Sequence, residues 1–294
     1  MKPFCAIFFV FCAAGLFANN FEVTSHLYIA PSSGNQKSVN LILKEPGTKQ
    51  LFTAKIIGHS GAASSCTLVN HFETQKAGFT FRTTPENAKT PRKTNKINFG
   101  IDWILPSEGP FRASGKESFY EGTVINGSRF LRPDTYSPLG INYSKDAKVV
   151  YIPAVQFSKF PEAPVSVFRR YDKWEVSIKI MEPGKSPQTI RTIPVYHRGR
   201  FPVTNPAGFK CRMYNYRGIT VLNMYYSRQR GVRENGSPVM EEISLNLCFA
   251  APEKGKEIRL ADITSFCFAE NAAFTKLPAD GGKEIRYQVF LKVK

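Results

Sequence analysis

Apolar and polar residues alternate with a period of two in most hydrophobic stretches of the chain. The clearest case is residues 174–180, where Trp174, Val176, Ile178 and Ile180 are separated by Glu175, Ser177 and Lys179. Successive side chains of a strand point to opposite faces of a sheet, so this pattern predicts a strand whose Trp174 face lies inward. The β-branched and aromatic run at residues 149–152 predicts a second strand shortly before it.

Similar runs recur on both sides of this region, with turn residues such as Pro46-Gly47 and Asn235-Gly236 between them. They cover residues 21–57, 78–81, 97–105, 190–196, 219–225, 243–247, 258–260 and 285–291. The first predicts a β-meander that includes a strand at Val39, Leu41 and Leu43. Residues 106–148, rich in Gly, Ser, Pro and aromatics, are interpreted as long loops that could carry binding function. No helical period is sustained anywhere, so the predicted fold class is all-β.

A proline-containing segment, residues 198–206, predicts a domain boundary, because such exposed segments are typical of linkers. The predicted organisation is a signal peptide at residues 1–18, a β-sandwich domain at residues 19–200 and a second, smaller sandwich at residues 201–294.

The first 18 residues predict export. Lys2 supplies a positive start, residues 4–17 form an apolar core, and Ala18 is a small residue suitable for cleavage. Four cysteines follow the signal peptide, and an even number in an exported chain favours disulfides. The candidates are Cys66, Cys211, Cys248 and Cys267, with Cys248 and Cys267 assigned to one domain and the connectivity left open. The sequence holds no Cys-x-x-Cys and its four histidines are scattered, so neither a metal nor another cofactor is expected.

The chain is strongly basic, with 40 Lys and Arg against 23 Asp and Glu and a formal net charge of +17. This excess favours acidic partners: sialylated or sulfated glycans, anionic lipid headgroups or nucleic acid. The export signal argues against nucleic acid. A basic surface that serves solubility alone is the other interpretation.

Sequence motifs of enzymes are missing, since G-x-S-x-G, H-E-x-x-H, the P-loop and the dinucleotide fingerprint do not occur. We therefore expect a protein that is not an enzyme. The alternatives are an exported glycan-processing enzyme with a carboxylate pair, for which Asp102 beside Trp103 or Glu117 are candidates, and a structural envelope protein without a soluble ligand.

Several short motifs follow one another along residues 145–294. Tyr151-Ile152-Pro153-Ala154 is followed by Phe157-Ser158-Lys159-Phe160-Pro161 and then by the strand that begins at Trp174. Later come Leu245–Phe249, Ile258–Leu260, Phe274–Leu277 and Glu284–Leu291. In this order the chain resembles the CblD-like pilus biogenesis initiators, the minor tip adhesin subunits of alternate (class 5) chaperone–usher fimbriae.

The resemblance implies two immunoglobulin-like sandwiches, an adhesin followed by an incomplete pilin domain that receives a strand from a partner. The implied partners are a periplasmic pilus chaperone, an outer-membrane usher, the major pilin subunit by donor-strand exchange, and a host glycan or glycoprotein. The implied location is the fimbrial tip at the cell surface, reached through the periplasm. The family's pilin domain continues for several strands beyond the position of residues 287–293, so either a shortened variant or a truncated frame is implied.

The resemblance also implies a receptor site at Arg169, Arg170 and Tyr171. Family adhesins bind acidic sugars through exposed arginines, and an Arg-Arg-Tyr tripeptide occurs near this point. Here the tripeptide precedes Trp174, whereas in the family it follows the Trp-led strand. Guanidinium pairing with carboxylate and stacking of aromatic rings on sugars suit this role. A charge pair that protects a sheet edge is the alternative.

Overall fold

The structure is a computed structural model that describes thirteen segments of the chain. These are residues 20–32, 38–59, 61–71, 75–85, 94–105, 109–120, 137–138, 140–159, 174–194, 208–216, 219–249, 254–267 and 283–294. The predicted signal peptide, residues 1–18, lies outside them.

The described residues confirm the all-β prediction, since nearly all regular structure is strand. The strands are β1 (Asn20–Pro31), β2 (Lys49–His59), β3 (Ala63–Asn70), β4 (Gln75–Pro85), β5 (Thr94–Leu105), β6 (Gly109–Tyr120), β7 (Ser137–Pro138), β8 (Asn142–Tyr143), β9 (Val149–Lys159), β10 (Trp174–Met181), β11 (Gln188–Thr192), β12 (Phe209–Tyr216), β13 (Ile219–Val232), β14 (Pro238–Phe249), β15 (Glu257–Cys267) and β16 (Lys283–Val293), and a short helix, α1, spans Val39–Ile42.

The strands form two antiparallel sheets. The nine-stranded sheet has the order β11-β10-β16-β15-β2-β1-β9-β7, with β8 also paired to β9, and the seven-stranded sheet has the order β12-β13-β14-β3-β4-β5-β6. The predicted inward face of β10 is confirmed, because Trp174, Val176 and Ile178 are buried.

The inward faces of both sheets belong to one hydrophobic cluster. Phe157 of the nine-stranded sheet lies 5.5 Å from Phe99 and 6.1 Å from Phe81 of the seven-stranded sheet, measured between ring centroids. The ring of Phe81 occupies the space above Gly58, where an added Cβ would lie 1.9 Å from a ring carbon. A strand glycine here admits an aromatic ring from the facing sheet.

Strands from the two sides of the predicted boundary at residue 201 pair with each other in both sheets. In the nine-stranded sheet β15 pairs with β2, with Ala261 opposite Ile56. In the seven-stranded sheet β14 pairs with β3, with Leu245 opposite Cys66. The structure therefore does not confirm two separate immunoglobulin-like sandwiches. Alternation identifies strands but carries no information about which distant strands pair.

Two local predictions are corrected. The Val39, Leu41, Leu43 run is not a strand, because Val39–Ile42 forms α1, and Ile42 packs with Ala30, Val150 and Ile152 in a small second cluster. A short apolar run fits either period. Residues 106–148 are not entirely loop, because Gly109–Tyr120 forms β6 along the whole of β5.

Candidate functional site

The outward face of the seven-stranded sheet carries small and polar side chains in register. One row runs across the whole sheet, from Lys210 through Tyr225, Ser244, Thr67, Gly78 and Asp102 to Arg112. Its middle members are small, whereas Lys210 and Arg112 stand at the two ends. The buried Cys66, Phe79 and Ala113 next to this row face the core, so the row itself faces outward.

A groove of about 550 Å³ opens at the Gly78 end of this row. Its outward lining consists of Thr67, Lys76, Gly78, Thr80, Asp102, Ile104, Pro110 and Arg112, which we call the Gly78 groove. A Cβ at residue 78 would meet Thr67 Oγ1 at 3.6 Å and the Asp102 carbonyl oxygen at 3.7 Å, which are ordinary contacts. Residue 78 therefore has room for a side chain, and the lack of one contributes to the hollow, whose size falls in the usual range for ligand sites.

An exposed ion pair borders the Gly78 groove. Arg112 Nε donates to Asp102 Oδ1 at 2.7 Å, and the side chains are 83% and 60% exposed. Within the part of the chain that the structure describes, Asp102 is the only hydrogen-bonding partner of Arg112. An ion pair in water contributes at most about 1 kcal/mol to stability. Neither charge is therefore needed to hold the fold, and both can take part in binding.

The outward face of the nine-stranded sheet is occupied by its own side chains. Asp262 accepts hydrogen bonds from Arg286 at 2.7 and 2.6 Å and from Gln288 at 2.9 Å. Burial would raise the pKa of Asp262, but these hydrogen bonds outweigh it and lower the pKa. Helix α1 covers another part of this face at Ala30 and Val150. The charged side chains described on this part of the face are thus paired with one another.

A third polar cluster lies between the sheets. Arg228 Nε donates to Glu241 Oε2 at 2.9 Å, and Arg230 lies 3.7 Å from Glu241 Oε1. Arg228 also pairs with Glu182, which Lys185 contacts at 2.9 Å. Glu241 and Arg228 belong to the seven-stranded sheet and Glu182 follows β10, so the cluster joins the two sheets.

Tyr287 completes this cluster. Its hydroxyl donates to Glu241, and its ring centroid lies 5.4 Å from the guanidinium carbon of Arg228. Burial, reinforced by the charge of Glu241, raises the pKa of Tyr287, so the phenol keeps its proton. Burial would raise the pKa of Glu182 as well, but hydrogen bonds from Lys185 and Arg228 lower it to about 2. The two carboxylates are thus committed to structural cations.

The disulfide prediction is wrong for Cys66, Cys211 and Cys248, because these three cysteines are free thiols. Cys66 lies opposite Leu245, which lies opposite Met224, which lies opposite Cys211. Three strand steps of about 4.8 Å separate the two cysteines, whereas a disulfide needs Cα atoms within about 7 Å.

Cys248 is also too far from Cys66 and from Cys211 to form a disulfide. It lies opposite Val221, three residues along β13 from the partner of Cys211, and three residues along β14 from the partner of Cys66. Burial raises the pKa of all three thiols, that of Cys248 to about 11. Cys267 ends β15 in the other sheet, and its side chain lies outside the described residues.

The remaining predicted site residues are not brought together by the described structure. Arg169, Arg170 and Tyr171 lie outside the described residues, as does the side chain of Glu117. Asp102 pairs with Arg112, whereas the neighbouring Trp103 is buried on the opposite face of β5. Sequence reasoning missed Gly78 and Arg112 as site residues. A glycine at an outward strand position was the available signal, because such glycines often mark close approach of a ligand.

Two absences hold for the described residues alone. No group of three or more His, Cys, Asp or Glu side chains could hold a metal ion there. The same residues contain no helix of the length and apolar character that a membrane crossing requires.

Comparisons with known proteins add little. No protein-family model matches the chain, and no curated protein does. Among solved structures, human GIVD cytosolic phospholipase A2 is similar at 13% sequence identity over 94% of this chain and 33% of that protein, with a TM-score of 0.17. A likeness at that score supports no argument about fold or activity. The resemblance to CblD-like initiators therefore depends on the sequence motifs.

Proposed function

We propose that the protein is a minor fimbrial tip subunit, which initiates pilus assembly and binds an acidic glycan on a host surface. In this proposal it acts by binding and is not an enzyme. It is exported through the periplasm, meets a pilus chaperone and the outer-membrane usher, and is joined to the major pilin by donor-strand exchange. The adhesin-like residues 19–200 and the immunoglobulin-like, pilin-like residues 201–294 keep these roles in the proposal, although their strands share both sheets.

The observation that carries the binding part is the Gly78 groove. It is open to solvent and lies on paired strands of a sheet rather than on a loop. It presents Lys76 and Arg112 beside the hydroxyls of Thr67 and Thr80. Cations with hydroxyl groups suit an anionic sugar. The basic composition of the chain gives such a ligand a favourable long-range field.

The alternative enzymatic function needs two carboxylates that face a substrate. In the described residues, Glu182 and Glu241 do share one partner, Arg228. However, the side chain of Glu241 is 1% exposed, and that of Glu182 is 10% exposed. A buried and cation-bound pair of this kind gives the alternative no support. Of the predicted candidates, Asp102 pairs with Arg112, and the side chain of Glu117 lies outside the described residues. No observation favours the enzymatic alternative, so we advance no second function.

Assembly into a pilus is tested through the chaperone. A direct test would disrupt β16 as the expected docking strand. However, β16 pairs on one side with β10 and on the other with β15. Its disruption would unfold the nine-stranded sheet rather than remove a docking edge. The better experiment co-expresses the intact chain with the pilus chaperone of its own gene neighbourhood and isolates the complex from the periplasm.

Hydrogen exchange on that complex then identifies the docking edge. The described residues place β6 and β12 at the two edges of the seven-stranded sheet. A strand supplied by the chaperone protects the amides of the edge that it joins. We expect a one-to-one complex and new protection in β6, β12 or a strand of the other sheet's edge. A stable monomer that ignores the chaperone would overturn the pilus proposal.

A further inference from the structure

We propose that one corner of the nine-stranded sheet binds the surface of an anionic phospholipid bilayer. The corner belongs to β11, β10, β16 and β15, which are consecutive in the sheet, and we call it the Lys292 corner. Its cationic side chains are those of Arg191, Lys254, Lys256, Lys292 and Lys294. The inference goes beyond the proposed function and involves neither the Gly78 groove nor the docking of a chaperone.

The first argument is that the strand register gathers charges at this corner. Lys292 of β16 lies opposite Glu175 of β10 on one side and opposite Glu257 of β15 on the other. Glu175 already has two cations, because Lys294 Nζ lies 2.9 Å from its Oε2 and Arg191 Nε lies 3.6 Å from its Oε1. Lys292 itself is exposed and enters no ion pair with another described residue.

The turn before β15 adds two more lysines. The Gly255 amide donates to the Val293 carbonyl oxygen at 2.9 Å, and this bond holds Lys254 and Lys256 beside the end of β16. Both lysines are exposed. Among the described side chains of the Lys292 corner, five cations therefore stand against the two carboxylates named above. Such an excess attracts the phosphates of an anionic leaflet, and each further Lys or Arg near the surface adds to the attraction.

The second argument is an exposed apolar side chain among these charges. Ile193 directly follows β11, one residue beyond the pairing of Thr192 with Val176, and it is 57% exposed. Phe290 is partly buried on the outward face of β16, two residues from Lys292. An apolar group surrounded by lysines suits the boundary between headgroups and acyl chains, where the apolar group enters and the ammonium groups stay with the phosphates.

The third argument is the kind of cation. Four of the five cations are lysines, whose ammonium groups are flexible point charges without the planar fork of arginine. The arginine, Arg191, is engaged by Glu175. Lysines without a fixed geometry match a fluid array of phosphates better than the fixed phosphate spacing of a nucleic acid duplex. A duplex backbone would also leave Ile193 without a role, so the observations favour the bilayer.

The test uses the full mature chain and two kinds of vesicle, one of phosphatidylcholine alone and one of phosphatidylcholine and phosphatidylglycerol in equal parts. In a sedimentation assay we expect binding to the anionic vesicles to be tighter by about tenfold or more. Added salt should weaken it, because the charges are screened. The double substitution Lys254→Gln with Lys292→Gln should weaken binding to the anionic vesicles by about tenfold.

A matched double substitution removes the same charge elsewhere. Lys44 and Lys210 are both exposed; Lys44 follows α1, which packs over β1 and β9, and Lys210 lies on the outward face of the other sheet. Lys44→Gln with Lys210→Gln should therefore weaken vesicle binding by less than about twofold, since these lysines lie away from the bilayer. Urea denaturation of both double variants confirms that they are folded.

Entry of residue 193 into the bilayer has a readout of its own. The two tryptophans of the chain, Trp103 and Trp174, are each 1% exposed, so an indole at position 193 gives a separate signal. The emission of Ile193→Trp should shift to shorter wavelength when anionic vesicles are added. Ile193→Ser should weaken vesicle binding by about threefold, because less apolar surface leaves water.

Each outcome decides the inference. Equal binding to both kinds of vesicle, or binding to neither, would overturn it. Equal losses in the two double variants would also overturn it, since the effect would then belong to net charge alone. If the emission of vesicle-bound Ile193→Trp does not shift and a DNA duplex binds the same lysines as tightly, the corner is a general polyanion site and the bilayer inference fails. None of these measurements depends on glycan binding or on the chaperone complex.

Discussion

The space between the sheets and the outward Gly78 groove contain the same two components with opposite consequences. Each has a strand glycine beneath a hollow: Phe81 fills the hollow above Gly58, whereas the hollow above Gly78 is open. Each also has an arginine that donates through Nε to a carboxylate, at 2.9 Å for Arg228 and 2.7 Å for Arg112.

The difference between the two regions is access to water. Between the sheets, the glycine allows an aromatic ring to pack, and the ion pair cannot be broken without leaving a buried charge. On the outward face, the glycine leaves room for a ligand, and water solvates either charge if the pair is broken. Similar local chemistry thus serves stability in one place and, in the function that we propose, binding in the other.

The largest effect is expected when one side of the buried pair is removed. Glu241→Ala leaves Arg228 and Arg230 with less compensation and removes the acceptor of Tyr287. The free energy of unfolding should fall by about 3–5 kcal/mol. Urea denaturation monitored by tryptophan fluorescence measures it. A loss below about 1 kcal/mol would show that the buried and exposed pairs are equivalent.

The two hollows give the next prediction. Gly58→Val drives a side chain into the Phe81 ring and should lower the free energy of unfolding by about 2–3 kcal/mol. Gly78→Val should change it by less than about 1 kcal/mol, since its Cβ meets only ordinary contacts. Phe81→Leu should recover part of the Gly58→Val loss in a double-mutant cycle. Additive losses would contradict the proposed contact.

Acid provides a second test of the same buried cluster, through Glu182. The pKa of Glu182 is about 2 in the fold against an ordinary value of 4.5. Because the folded pKa is the lower one, the stability that Glu182 contributes is present above about pH 4.5 and is lost as the pH falls toward 2. The loss should reach about 2–3 kcal/mol. Glu182→Gln should remove this component from the pH dependence of urea midpoints, and an unchanged pH dependence would contradict it.

The smallest effect is expected at the exposed pair. Asp102→Ala should lower the free energy of unfolding by no more than about 1 kcal/mol. A cycle with Arg112→Ala should give a coupling energy that decreases further when salt is added, because the pair is screened. A coupling energy above about 2 kcal/mol would mean that this ion pair stabilises the fold and that Arg112 cannot leave it cheaply to bind a ligand.

Sequence reasoning reached the fold class but not the arrangement. Period-two alternation around Trp174 predicted a strand and its buried face, and both are confirmed. The pairing of β2 with β15 could not be predicted, because an alternating pattern does not indicate which distant strand is the partner or in which register. Asp102 lay in a predicted strand, but its contact with Arg112 depends on β6, a strand that Gly, Pro and Ser residues made resemble a loop.

The central position of β16 has a consequence for the order of events in folding. Its two neighbours, β10 and β15, begin at residues 174 and 257, so the nine-stranded sheet stays divided until β16 has been supplied. Pairings of such long sequence separation make folding slow, and the earlier strands remain exposed to aggregation while they wait. A chain of this design can complete its larger sheet only once β16 is present, so it does not assemble that sheet strand by strand in the order of the sequence.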